Sequence, residues 1–116
     1  MELICYKKCG TCRKVENILN EKGIEYSYRH IDKDNPSKEE IKDFHERSAL
    51  DIKKLFNTSG RIYRDLNLKD KLKNMTLEEK YEILSTDGML VKRPIIITDD
   101  NKVLIGKDAR EYVENL

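Results

Sequence analysis

The sequence has no surplus of either charge. Twenty-three Lys and Arg stand against 22 Asp and Glu, a formal net charge of +1, so bulk electrostatics gives nucleic acid or a membrane surface no hold on the chain. It has no long apolar run, and nothing approaches the roughly 20 residues that a membrane-spanning helix needs. The opening residues Met1-Glu2-Leu3-Ile4-Cys5-Tyr6-Lys7-Lys8 hold too short an apolar stretch for a signal peptide and no small-residue cleavage site, so the expected location is the cytoplasm. Cysteine is scarce: Cys5, Cys9 and Cys12 only. An odd number clustered at one end makes a poor disulfide framework and points instead to redox or nucleophilic chemistry. Internal repeats are lacking, and so is any linker long enough to divide the chain, so a single domain over 1–116 is expected. What remains is 38% hydrophobic and 39% charged. The apolar residues fall in periodic clusters, which suits one modest core with a heavily solvated surface rather than disorder.

Leu3 to Tyr6 is apolar on both faces, as in a central strand. Lys7 to Thr11 is a loop, and from Cys12 a helix follows, with Val15, Ile18 and Leu19 in phase and Gly23 as its stop. Ile24 to Ile31 alternates and is expected to be a second strand, which completes a βαβ unit. Ser37-Lys38-Glu39-Glu40 and Thr76-Leu77-Glu78-Glu79 have capping-box spacing. Between them, Ser48 to Asp51 opens a short helix, Asn57 to Gly60 is a loop, and Ile62 to Leu68 forms a further turn or helix. Asp87-Gly88 closes the helical stretch. Arg93-Pro94-Ile95-Ile96-Ile97-Thr98 is a β-branched central strand with proline at its start. Asp99-Asp100-Asn101 turns it into a returning strand, Lys102 to Ile105. Asp108-Ala109-Arg110-Glu111 then suggests a third cap and a final helix. Setting aside the helical stretch 37–88 leaves βαβ–ββα. The expected fold is therefore α/β: a thioredoxin-like core with a mixed four-stranded sheet and a helical insertion between its halves.

Cys9-Gly10-Thr11-Cys12 carries the strongest chemical signal. A thiolate is the working nucleophile, and a free Cys, with pKa near 8.5, holds its proton at neutral pH. A Cys just before a helix lies among unpaired amides at the positive end of the macrodipole, which favours S⁻. Lys7, Lys8 and Arg13 add positive charge nearby. Cys12, one turn on, can reach Cys9 to close a disulfide, and Gly10 removes bulk beside the reacting sulfur. A packed thiol pair or half a zinc site would use the same residues. Zinc needs further ligands, though, and Cys5, His30 and His45 are the only candidates, at no recognised spacing; no metal site is expected. Cys5, inside the first strand, is expected to be core. Pro94 before a central strand suits a cis bond. Arg93 beside it either places a guanidinium near the cysteine loop, for a thiolate or an oxyanion, or is a surface residue. The Asn57-Thr58-Ser59-Gly60 loop either donates to an anion or only connects helices.

Three segments together resemble the arsenate reductase and Spx-type family of thioredoxin-like proteins: Cys9-Gly10-Thr11-Cys12, Leu55-Phe56-Asn57-Thr58-Ser59-Gly60, and Arg93-Pro94-Ile95-Ile96-Ile97-Thr98 with its hairpin. The resemblance covers nearly the whole chain. For glutaredoxin-coupled arsenate reductases it implies Cys9 as the nucleophile, glutathione as resolving electron donor, and three oxyanion-binding arginines. Arg93 matches one. Asn57 stands near the second position, and Gly106 or Lys107 near the third. Cys12 stands where those enzymes have Ser, which implies an internal disulfide. For Spx-type regulators the resemblance implies a Cys9–Cys12 switch and binding to the C-terminal domain of the RNA polymerase α subunit. Leu50 and Asp51 occupy the place of that family's contact glycine. The leading expectation is an arsenate-reductase-like thiol–disulfide oxidoreductase. Cys9 attacks, Cys12 resolves and Arg93 stabilises the charge, while Gly10, Thr11, Asn57 and Lys107 contact substrate or anion. The reductant is a small thiol or a glutaredoxin- or thioredoxin-type protein, and there is no bound cofactor. The redox-sensing regulator is the alternative, and a plain arsenate reductase the third reading.

Overall fold

The computed structural model describes residues 1–116. Strand β1 (Glu2–Cys5) leads into helix α1 (Gly10–Glu21) and strand β2 (Ser27–His30). A helical segment follows: α2 (Lys38–Ser48), α3 (Arg61–Asp65), α4 (Leu68–Lys71) and α5 (Leu77–Ser85), with short 3₁₀ turns between them. The hairpin β3 (Ile95–Ile97) and β4 (Val103–Ile105) and helix α6 (Lys107–Glu114) complete the chain. The sheet order is β2-β1-β3-β4. β1 runs parallel to β2 and antiparallel to β3, and β3 is antiparallel to β4. This is the expected α/β thioredoxin-like arrangement, with the helical insertion between its halves.

The pleat divides the core. Leu3 and Cys5 on β1 and Ile96 on β3 face α1 and α6, where they pack with Val15, Leu19, Ala109 and Val113. Ile4 and Ile95 point the other way, into a larger cluster with Ile41, Phe44, Tyr81 and Leu84 of the insertion. Alternate side chains of one strand lie on opposite faces, so a three-residue apolar run on a central strand serves both layers. Leu3, Ile4 and Cys5 are all fully buried.

Both expected capping boxes are present. Ser37 Oγ accepts from the Glu40 amide while Glu40 returns a bond to the Ser37 amide, and Thr76 with Glu79 does the same. Several boundaries differ from expectation, β1 among them, which spans Glu2–Cys5 rather than 3–6. α1 begins at Gly10 rather than Cys12, with Cys9 at its N-cap. β2 is shorter than 24–31, because the Ile24 amide is taken by the Leu19 carbonyl at the helix end. α2 continues to Ser48 and ends with Ala49 in the left-handed region at φ 58°, and Asp51 caps the following 3₁₀ turn by accepting from Lys53. The last helix starts at Lys107, not behind a cap at Asp108; the N-cap is Gly106 at φ 64°, a conformation that favours glycine. Gly88 does more than stop a helix. A Cβ there would overlap the Ile31 carbonyl, so the end of the insertion is seated directly on the backbone beyond β2.

Arg29 on β2 clamps the insertion. It donates to both Glu40 oxygens, at 2.6 and 3.0 Å, and to the Asp34 carbonyl. The Arg29 bonds hold the Glu40 carboxyl below its ordinary 4.5; burial opposes them and the Ser37 amide adds to them. A carboxyl depressed in the folded state contributes stability above its unfolded value and loses it as pH falls through the folded one. Denaturant titration of Glu40→Gln is expected to show a loss of roughly 1 kcal/mol at neutral pH, shrinking toward zero as pH drops below about 4.5.

Candidate active site at the start of the first helix

Cys9 is half-buried and is the one cysteine outside a disulfide. It has extended backbone geometry, φ −83° and ψ 125°, and its carbonyl accepts the first helical bond from Arg13 at 3.0 Å. Its own amide donates to the Tyr6 carbonyl at 3.0 Å, which closes the loop tightly. The amides of Gly10, Thr11 and Cys12 open the helix and make no backbone hydrogen bond. They supply the donors and the positive dipole end that suit an anion at this place. A Cβ on Gly10 would meet nothing within 4 Å. Its missing side chain therefore leaves the approach to Cys9 open without being required by any internal contact. Thr11, also partly exposed, opens the same turn.

The expected Cys9–Cys12 pairing is not the one formed. Cys12 is bonded to Cys5, with their Cα atoms 5.8 Å apart, inside the usual span for a disulfide. The physical reason is helix phase. Cys12, Val15 and Leu19 recur at helical spacing and form the buried stripe of α1. That stripe faces the sheet, where Cys5 projects from β1 on the same side as Leu3. Cys5 is core, as expected, and it is also Cys12's partner. Both are fully buried.

Arg93 is half-buried, and its peptide bond to Pro94 is cis. The guanidinium carbon lies 5.3 Å from the centre of the Tyr6 ring, on the residue whose carbonyl closes the cysteine loop. One terminal nitrogen donates at 3.5 Å to the Met89 carbonyl, while Nε is buried without a partner. Asn57 converges on the same acceptor, with Nδ2 3.3 Å from the Met89 oxygen. Asn57 also donates its amide to the Leu90 carbonyl at 2.8 Å, and its Oδ1 accepts from Ser59 at 3.4 Å. The structure thus brings Asn57 and Arg93 together, but the Asn57 side chain is occupied in tying the 57–60 loop to the 88–91 turn. Gly60 leaves room for it: a Cβ there would lie 2.5 Å from Nδ2.

Lys107 is not brought to this group. It is exposed, 3.7 Å from Glu111, and lines a separate cavity of about 330 Å³ with Lys54, Thr58 and Lys92. Neither Cys9 nor Arg93 lines any of the five principal surface cavities. No cluster of His, Cys, Asp or Glu is placed to hold a metal ion, and no helix is long and apolar enough to cross a membrane.

Sequence reasoning passed over Tyr28. Its ring lies under the Lys7 ammonium at 3.9 Å and edge-on to His30 at 4.8 Å. Lys7 is also 3.0 Å from Glu16, so its charge is shared with that carboxylate rather than directed at Cys9 alone. The Tyr28 hydroxyl is buried without a partner. Burial pushes it up to about 12, with the nearby Glu16 and Asp32 carboxylates adding to the effect. Its place on β2, opposite Leu3, was the available signal.

Comparison with known proteins agrees with this architecture. The ArsC family model matches residues 5–115. The uncharacterized protein YusI of Bacillus subtilis (strain 168) is 52% identical over 110 residues, covering 95% of this chain and 92% of that protein. Regulatory protein MgsR of the same organism is 30% identical over 109 residues, covering 94% and 84%. An ArsC family related protein from Bacteroides fragilis superposes with a TM-score of 0.89 at 43% identity, over 97% of this chain and 94% of that one.

Removing the Asn57 side chain frees the Met89 carbonyl without touching Cys9. Asn57→Ala is expected to lose about 1 kcal/mol in thermal or urea unfolding. The rate at which iodoacetamide alkylates Cys9 should stay at the wild-type value, and a large fall in that rate would show that Asn57 belongs to the reacting group.

Proposed function

Because this chain belongs to the ArsC family, we propose that it is an arsenate-reductase-like thiol–disulfide oxidoreductase with Cys9 as its nucleophile. The observation that carries this reading is the half-exposed Cys9 at the N-cap of α1, with three free amides behind it and Arg93 over the adjoining Tyr6 ring. The Cys9 thiolate attacks one sulfur of a disulfide or an oxidised small molecule. The S–S bond breaks, and the leaving thiolate takes up a proton. Once a thiol has reduced the Cys5–Cys12 bridge, the Cys12 thiolate attacks the Cys9 sulfur, forms a Cys9–Cys12 bond and releases the second half of the substrate as a thiolate that takes up the Cys12 proton. Arg93 and the helix amides stabilise the charge that collects on sulfur. Gly10 and Thr11 border the approaching group. Electrons return from a small thiol such as glutathione, or from a glutaredoxin- or thioredoxin-type protein. The half-exposed position of Cys9 suits a macromolecular thiol partner, and a cytoplasmic setting suits this chemistry.

The likeness to a regulatory protein over almost the whole chain favours one second reading. In it the same cysteines are a sensor, and their oxidation state governs binding to the C-terminal domain of the RNA polymerase α subunit. Turnover of arsenate has less support. A three-arginine oxyanion site is represented here by Arg93 alone, since Asn57 is committed to Met89 and Lys107 stands on another cavity.

Cys9→Ser is expected to abolish reduction of a small disulfide in a glutathione-coupled assay. Arg93→Ala should lower kcat/KM roughly 10- to 100-fold, the loss of about 1.5–3 kcal/mol for a charge-assisted contact. Full activity in Cys9→Ser would sink the mechanism. Retention of the isolated α C-terminal domain by the reduced or oxidised protein, with no disulfide turnover, would move the second reading to the front.

A further inference from the structure

We propose that Cys5 is a third catalytic cysteine, the terminal acceptor of a relay that passes a disulfide from the surface at Cys9, through Cys12, to the buried Cys5–Cys12 position. This rests on the reading of Cys9 as nucleophile. Three observations carry it. Cys5 and Cys12 have no exposed surface, so an oxidant in solvent cannot touch either sulfur. Cys9 is the only cysteine with exposed surface, and it packs against the same cluster. Cys12 lies three residues on from the N-cap Cys9, in the first turn of α1, and is bonded across the layer to Cys5.

The facing of Cys5 and Cys12 is built in by packing. Leu3 and Ile96 from the sheet, Val15 and Leu19 from α1, and Ala109 and Val113 from α6 fix strand and helix face to face. Backbone hydrogen bonds hold β1 in register at the cysteine itself, where the Ile31 amide donates to the Cys5 carbonyl at 3.0 Å. Cys12, once bridged to Cys9, therefore has the Cys5 sulfur already beside it.

The relay balances as follows. The Cys9 thiolate attacks a small disulfide RSSR, its S–S bond breaks, and RS⁻ departs to leave Cys9–S–S–R. The Cys12 thiolate attacks the Cys9 sulfur, forms Cys9–Cys12 and expels the second RS⁻. The Cys5 thiolate attacks the Cys12 sulfur, forms Cys5–Cys12 and releases Cys9 as a thiolate. The two protons of the Cys5 and Cys12 thiols go to the two RS⁻ groups. The substrate gains two electrons and the Cys5–Cys12 pair loses them. Cys9 ends reduced although the protein is oxidised. Reduction runs the same path backwards, because the buried bridge is reached only by Cys9 attacking Cys12.

The test uses reduced full-length protein, oxidised glutathione as probe, acid quench, alkylation and peptide mapping. Wild type is expected to end as a Cys5–Cys12 bridge with Cys9 alkylated. In Cys9→Ser, formation of that bridge should slow on the order of a hundredfold or more, because only the exposed thiolate can start the exchange. Cys5→Ala should stop at a Cys9–Cys12 bridge. In Cys12→Ser, glutathione should be trapped on Cys9. Bridge formation at the wild-type rate in Cys9→Ser, or a wild-type end product of Cys9–Cys12 with Cys5 alkylated, overturns the relay while leaving Cys9 as nucleophile. Absence of the trapped glutathione in Cys12→Ser overturns the nucleophile reading and the relay with it. Cys9→Ser alters a partly exposed N-cap position and not the core, so its result does not depend on how well Cys5→Ala folds.

Discussion

Strand β1 has a neighbour on each edge and a layer of helices on each face. Three of its four residues, Leu3, Ile4 and Cys5, are withdrawn entirely from water. Burying backbone on all sides is tolerable only when each amide and carbonyl is paired, and the parallel ladder to β2 with the antiparallel ladder to β3 supplies that pairing. Every other placement hangs on this strand. It orients α1 through Leu3 and the insertion through Ile4. Its C-terminal end sets where the chain can turn into the cysteine loop. The loop is short because strand and helix are already in contact, so Cys9 falls at the helix N-cap by construction.

The sulfur chemistry follows from two different surfaces of one helix. Cys9 precedes the first turn and stays at the boundary with solvent, among amides that no carbonyl claims. Cys12 is on the apolar stripe and points inward. A motif of two cysteines with two residues between them therefore holds one sulfur facing out and one facing in. Arg93 reaches the outer one's surroundings from the far side, over Tyr6, from the turn that enters β3.

Much of this was legible in the residues themselves where the signals are local. The apolar run of β1, the β-branched run of β3, the tight turn after it and the two capping boxes each depend on neighbours a few positions away, and each is present. The Cys5–Cys12 partnership depends on which way Cys12 faces. The spacing of Val15 and Leu19, extended back by three residues, already contained that answer, but the proximity of Cys9 and Cys12 in the chain concealed it. Asn57 and Lys107 were read by position against a family pattern. What each does depends on contacts across the fold: the Met89 carbonyl for one, Glu111 and a separate cavity for the other. Asp108 misled for a different reason, since a cap-like residue in the first turn looks the same in sequence whether or not a glycine has already made the turn.

Gly88 joins parts of the molecule that share no regular structure. Its bare α-carbon rests on the carbonyl of Ile31, and the amide of that same Ile31 is hydrogen-bonded to the carbonyl of Cys5. Rigid backbone, with no side chain to give way, therefore runs from the insertion to the inner cysteine. The last turn of the insertion and the inner cysteine thus lean on opposite ends of a single residue's peptide groups, so a side chain at position 88 would displace the backbone that holds the end of β1.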